Sequence, residues 1–292
     1  MKVTFVILHY QNIQDTYNCI ESIKLQRDYK DAIIEIIIVD NNSPNGTGKI
    51  IQEEYKNDSQ IKIILLDENV GFSKGNNIGY AYAQNNNADI IIMSNNDIII
   101  EDQFFIKKLL ELNLNNTQIV VPKIVNFNGN QQNPLRLNFW SLKKAYKNLF
   151  YKQLIVGLYN IPIISGLVYK FESKRLKKWE KNYYLNNDLN LQNRNFVPHG
   201  AFIIFLKEWI KNEKIAFPSD TFMYAEEDFL ALYIHYKSYI IKMKNELQVR
   251  HLEGRSTVYE FKDEFKRHRM VYQRQIQALK KYIKFYKGLL NG

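Results

Sequence analysis

Four aliphatic runs, each ending abruptly on polar residues, constrain this chain most. They are VTFVIL (residues 3–8), IEIIIVD (34–40), IKIILLD (61–67) and ADIIIMSNND (88–97). Runs this short and this rich in Ile and Val suit strands buried on both faces. Between them lie segments of helical character: residues 16–26, a stretch opening at Lys49–Tyr55, and the glycine-punctuated NVGFSKGNNIGYAYA (69–83). Strands alternating with helices predict an α/β chain built on a largely parallel sheet with helices on both faces. In such sheets ligands bind at the carboxyl ends of the strands. Asp40, Asp67 and Asp97 stand at such ends. An unpaired carboxylate inside a strand would cost several kcal/mol to desolvate, so the SNND after IIIM predicts a strand emerging into a crevice.

Two phosphate-binding patterns fail. NGTGK (45–49) lacks the first glycine and final Ser/Thr of a phosphate loop, with Ser43 and Ile50 in those places. GFSKGNNIG spaces Gly71, Gly75 and Gly79 four apart, which is not the dinucleotide fingerprint and suits turn and helix-packing roles. Cys19 is the one cysteine, which excludes an intrachain disulfide and predicts a reducing, cytoplasmic setting. No apolar run approaches the roughly 18 residues of a membrane span. VTFVIL leads directly into His9 and Tyr10, so it reads as a first strand and not a signal peptide.

Beyond residue 100 the pattern loosens. Residues 135–195 are rich in aromatics and lysines without clear periodicity. FVPHGAFIIF resumes a strand, FMYAEEDFLALYIHYKS reads as an acid-headed helix, and IIKMKNELQVRHLEG as strand and loop. The tail is helical, with Phe265, Tyr272, Ile276, Leu279, Ile283, Tyr286 and Leu290 in one stripe. Residues 260–292 hold nine Lys/Arg and three acids, a net of +6 within a chain total of +10. Two roles suit this tail: a basic helix lying on an anionic membrane, or a helix covering the core or a dimer seam with solvated lysines.

Eight motifs in order resemble family 2 glycosyltransferases of the GT-A fold, in particular the rhamnosyltransferase-like branch that builds bacterial surface polysaccharides. They are FVILHYQN, EIIIVDNNS, NVGFSKGNNIG, SNND, VVPKIVNFNGNQQNP, HGAFIIF, FMYAEEDFL and HLEGRS, spanning about residues 3–256. The resemblance implies a single Rossmann-like mixed central sheet flanked by helices, with a C-terminal helical extension. It divides the chain into a catalytic domain over 1–256 and a basic amphipathic segment over 257–292. Residues 1–100 would be the nucleotide-sugar half and 101–256 the acceptor half.

The resemblance also implies roles. Asp40, Asn69, Lys74, Asn77, Asn96 and Asp97 would contact the nucleotide sugar, Asp40 through base or ribose and Lys74 beside the diphosphate. Asp97 is the last acid of the family's metal motif and His251 would join it, holding Mg²⁺ or Mn²⁺. One or two protein carboxylates plus substrate phosphate often suffice for such an ion. Of Glu226, Glu227 and Asp228, either Glu227 or Asp228 would be the base of an inverting transfer; Leu230 favours Glu227. Glu226 and His199 would face the acceptor. The implied reaction moves a hexose or deoxyhexose from a nucleotide-diphosphate donor to a glycan or lipid-linked oligosaccharide, in the cytoplasm and with peripheral contact at the membrane's inner face. A sugar nucleotidyltransferase would want an N-terminal glycine-rich nucleotide loop, which LHYQNIQDTY lacks. Nucleic-acid binding finds no recognition module, and the strand-end acids oppose it.

Overall fold

A computed structural model describes residues 1–29, 32–185, 196–252 and 263–291, with backbone alone over 177–185. The aliphatic runs form the expected strands: β1 Lys2–His9, β2 Ile33–Asp40, β3 Ile61–Leu65 and β4 Ile90–Asn95. They pair in parallel in the order β3-β2-β1-β4. Between them run α1 Ile13–Lys24, α2 Thr47–Glu54 and α3 Phe72–Asn85.

The second half of the sheet is mixed. It contains β5 Ile98–Ile99, β6 Ile119–Asn126, β7 Phe202–Phe205 and β8 Ile241–His251. β7 lies antiparallel to both β4 and β6, β8 runs parallel to β6, and β5 closes the edge against β8. The eight-stranded sheet is the mixed, helix-flanked sheet that the motifs imply.

Side-chain alternation builds two cores. Phe5, Ile7, Ile36 and Ile92 face α1 and α4 (Phe105–Glu111). Val6, Ile37, Ile91 and Met93 face α3, α7 (Lys207–Asn212) and α8 (Glu226–Tyr236). Each such buried side chain contributes roughly 1.5–3 kcal/mol through its lost hydration. The glycines of α3 serve packing, as their spacing suggests. A Cβ on Gly79 would lie 2.3 Å from Val6 Cγ1, so a larger residue would lift the helix off β1.

Residues 135–185 depart from the irregular expectation. They form two long helices, α5 Leu142–Tyr159 and α6 Pro162–Leu185. Their apolar residues lie on several faces, which hides a helical period from the sequence. Tyr151 donates to Glu172 across the pair, and only Asn160 and Ile161 separate the helices, so they form an antiparallel hairpin.

The tail helix, α9 Glu264–Asn291, packs on α5 and α8. Tyr272, Leu279, Tyr282 and Ile283 are buried there, and Tyr282 donates to the Trp140 carbonyl at 2.7 Å. The boundary expected at 256/257 lies outside the described residues, as do Gly254 and Ser256 of the HLEGRS motif.

Candidate active site

The parallel strands reverse their order at β1, with β2 and β3 on one side and β4 on the other. Such a switch point leaves a crevice at the carboxyl ends of the strands. A cavity of about 760 Å³ opens there. Leu8 and Tyr10 at the end of β1, Asn41 after β2, Asn69 and Gly71 before α3, and Asn95, Asn96 and Asp97 at the end of β4 line it. On the opposite wall stand His199, Gly200 and the head of α8, Glu226 to Asp228. Helices α5, α6 and α9 close the far side with Lys152, Arg175 and Arg274.

β4 ends at Asn95, and the chain turns through Asn96 and Asp97 before β5. Pairing of Ile98 with His251 then brings together two residues remote in sequence, and the Leu252 N–H donates to the Asp97 carbonyl. His251 Nε2 lies 3.3 Å from Asp97 Oδ1. His251 Nδ1 meets the Gln132 side-chain oxygen at 2.9 Å, an acceptor, so that nitrogen carries the proton. In the neutral ring Nε2 then presents a lone pair to a carboxylate oxygen that is buried and has no hydrogen-bond partner among the described residues. Two acceptors facing one another want a cation between them. The pair fits a divalent ion with oxygen and imidazole ligands. No group of three or more His, Cys, Asp or Glu gathers among the described residues, so substrate oxygens or water would complete its shell.

His199 sits beside His251, ring centroids 5.4 Å apart. Desolvation, with the second imidazole adding, lowers its pKa to about 3 and keeps it neutral. Its Nδ1 accepts from the Ala201 N–H at 3.2 Å, which leaves Nε2–H as the donor. The two histidines are therefore opposite in kind, one an acceptor at Nε2 and the other a donor.

The three acids of α8 have different partners. Asp228 is buried and ion-paired to Arg136, whose guanidinium lies 4.8 Å from the Trp140 ring centroid. Burial pushes its pKa up and Arg136 pulls it down. Glu226 is buried, with the Thr221 hydroxyl 3.5 Å from Oε1; burial, then the Glu227 charge, pushes it up to about 8. Glu227 is half-buried over Gly200, where a Cβ would come within 2.7 Å of its Oε1. Burial raises its pKa as well. Tyr224 and Ala225 enter the helix with positive φ, 79° and 67°, an uncommon backbone for non-glycine residues that fixes where the acids emerge.

Three expected nucleotide contacts stand elsewhere. Asp40 accepts from Ser43 Oγ at 2.5 Å and faces His9, closing the β2–α2 turn, while Asn41 takes the cavity wall. Asn77 is spent on bracing residues 216 and 217: its oxygen accepts from both backbone N–H groups and its amide donates to the Phe217 carbonyl. Lys74 is exposed and lines a smaller cleft of about 220 Å³ beyond Phe222. Asn69, Asn96, Asp97, His199, Glu226, Glu227 and Asp228 all reach the main cavity. The sequence reading missed Arg136, Asn41 and Gln132. Arg136 follows the quoted NP dipeptide by two residues, but only the fold sets it against Asp228.

A mixed sheet with its switch-point cavity, a strand-end acid beside a histidine and an acid-headed helix opposite have the architecture of the GT-A fold. The chain belongs to glycosyl transferase family 2, whose profile matches residues 4–213. Solved structures show the same fold at low identity. Staphylococcus aureus TarS (1–349) has a TM-score of 0.53 at 14% identity, over 98% of this chain and 72% of that one. Its complex with UDP-GlcNAc gives 0.55 at 15%, over 93% and 66%. Mannosyltransferase PcManGT from Pyrobaculum calidifontis, with GDP-Man and Mn²⁺, gives 0.53 at 12%, over 99% and 74%. The chain spans 38% of a longer TarS structure. No curated protein matches it.

Proposed function

We propose that this chain is an inverting glycosyltransferase with Glu227 as its base. The acceptor hydroxyl oxygen attacks the anomeric carbon, Glu227 takes the hydroxyl proton, and the bond from that carbon to phosphate oxygen breaks. The nucleoside diphosphate leaves with the bonding electrons. The observation that carries this reading is the division of labour on α8: burial raises the pKa of both acids at the cavity, but Asp228 is buried and ion-paired to Arg136, whereas Glu227 stands half-buried over Gly200. A base with its pKa raised toward the working pH serves proton transfer best.

Asn41, Asn69 and Asn96 line the strand-end side, where the nucleotide would lie. A divalent ion held by Asp97 and His251 would stabilise charge on the departing diphosphate. His199 Nε2–H and Glu226, which burial keeps protonated near neutral pH, are donors on the acceptor side. The acceptor in this reading is a glycan or lipid-linked oligosaccharide of surface-polysaccharide synthesis, and the donor carries a hexose or a deoxyhexose such as rhamnose.

The test is a thermal-shift panel of UDP-, GDP- and dTDP-sugars with and without Mn²⁺, followed by nucleotide-release assays on the donors that stabilise the protein. A bound ligand raises the melting temperature by mass action. At least one donor should stabilise wild type and Glu227→Gln alike, while only wild type releases nucleotide. Equal release by the variant would remove Glu227 from the mechanism.

A further inference from the structure

We propose that the α5–α6 hairpin docks this protein onto an anionic membrane surface. Seven of the nineteen exposed large hydrophobic residues among the described ones fall between residues 146 and 171. Tyr146, Phe150 and Leu154 recur every four residues on α5, so they share one helix face. Ile163, Leu167 and Phe171 do the same on α6 and are 90%, 68% and 66% exposed. Apolar residues scattered singly need no explanation, but two exposed stripes on consecutive helices do.

Charge names the occupant. Residues 142–176 carry a single acid, Glu172, against seven cations; Lys144, Lys152 and Arg175 line the cavity, and Lys143, Lys147, Lys170 and Lys174 are exposed away from it. Glu172 is fully buried among Arg175, Tyr151 and Tyr272, so no carboxylate reaches the outer surface of this segment. Lys170 and Lys174 are exposed and interleave with the α6 stripe. An aromatic and aliphatic face set among lysines suits the boundary of headgroups and acyl chains. A second copy of the chain is a poorer occupant, because an isologous contact would set these lysines against one another. No described helix is long and apolar enough to cross a membrane, which leaves the hairpin lying in the interface. α5 also lines the cavity with Asn148, Tyr151 and Lys152, so docking would hold the cavity close to the lipid surface. This inference stands on the surface alone and does not depend on the reaction proposed above.

Sedimentation with vesicles tests it. The full chain is mixed with phosphatidylcholine vesicles, or with vesicles that also contain phosphatidylglycerol, at low and high salt. It should sediment with the anionic vesicles at low salt and be released by high salt. Ile163→Ser/Leu167→Ser/Phe171→Ser changes exposed side chains only and should weaken partitioning tenfold or more with an unchanged circular dichroism spectrum. Lys170→Glu/Lys174→Glu should weaken it by on the order of fivefold per lysine. Lys280→Glu/Lys284→Glu, on exposed positions of α9, should leave it unchanged. Equal sedimentation with both vesicle types, wild-type binding by the serine variant, or loss of binding only in the α9 variant overturns the proposal. So does a dimer, seen in the ultracentrifuge without lipid, that the serine variant abolishes, because the face then belongs to a second copy.

Discussion

Asp228 and Glu227 are adjacent on α8 and differ in partner, and in the proposed mechanism that difference makes Glu227 the proton acceptor. Asp228→Asn should leave the Arg136 guanidinium without its counter-charge in a largely buried position. The expected loss is roughly 2–4 kcal/mol of stability, read as a lower denaturation midpoint, together with reduced transfer. Glu227→Gln should keep its stability and lower the rate by about a hundredfold or more. An inactive Asp228→Asn of normal stability beside an active Glu227→Gln would move the base by one residue. pH dependence gives a second handle on the same wall. Because the base must be deprotonated, kcat/KM should fall on the acid side with a midpoint above the ordinary glutamate value, as the raised pKa of Glu227 requires. Glu226, pushed up to about 8, also affects stability. Between its unfolded value near 4.5 and about 8, the folded state holds a proton that the unfolded state has lost, so stability falls as pH rises through this window. Glu226→Gln should remove that decline, so the variant melts above wild type at pH 8 and beyond and close to it below pH 4.5. Parallel melting curves for the two proteins would show that Glu226 is not held protonated.

At the scale of elements, the tail packs its apolar stripe on protein and leaves its lysines exposed. α9 does carry the predicted stripe, but Tyr272, Leu279 and Ile283 from that stripe are buried against α5 and α8. Arg274, Gln275 and Leu279 line the cavity. The apolar face is thus already occupied, and the exposed lysines lie on the opposite side of a structural helix. Ile283→Ala should cost about 2–4 kcal/mol by urea denaturation, as expected for a truncated buried aliphatic residue. A change below about 0.5 kcal/mol would mean a loosely docked helix. Periodicity alone identified the helix and its apolar face, because a spacing of three and four is unambiguous over seven turns. It could not say whether that face meets lipid or protein, since both are apolar. The α5–α6 hairpin was illegible for the converse reason: one face packs on α9, another lines the cavity and a third is exposed, so no single period survives.

For the whole molecule, the parallel half was readable from four aliphatic runs, since a strand buried on both faces has few alternatives. The switch point then located the site without any side-chain detail. Individual roles were less legible. Asp40, Asn77 and Lys74 sit at motif positions, yet a turn, a brace and a separate cleft take their side chains. Arg136 and Gln132 matter through contacts with residues distant in sequence, which no local pattern encodes. In the proposed function, the cavity between β1, β4 and α8 binds a nucleoside diphosphate with a metal at Asp97 and His251. Calorimetric titration of wild type and Asp97→Asn with UDP, GDP and dTDP, each with and without Mn²⁺, tests this directly. At least one nucleotide should bind wild type in the presence of Mn²⁺, and omitting the metal or substituting Asp97 should weaken it by about tenfold or more. Binding by none of the three, or equal binding by the variant with and without Mn²⁺, would contradict the account.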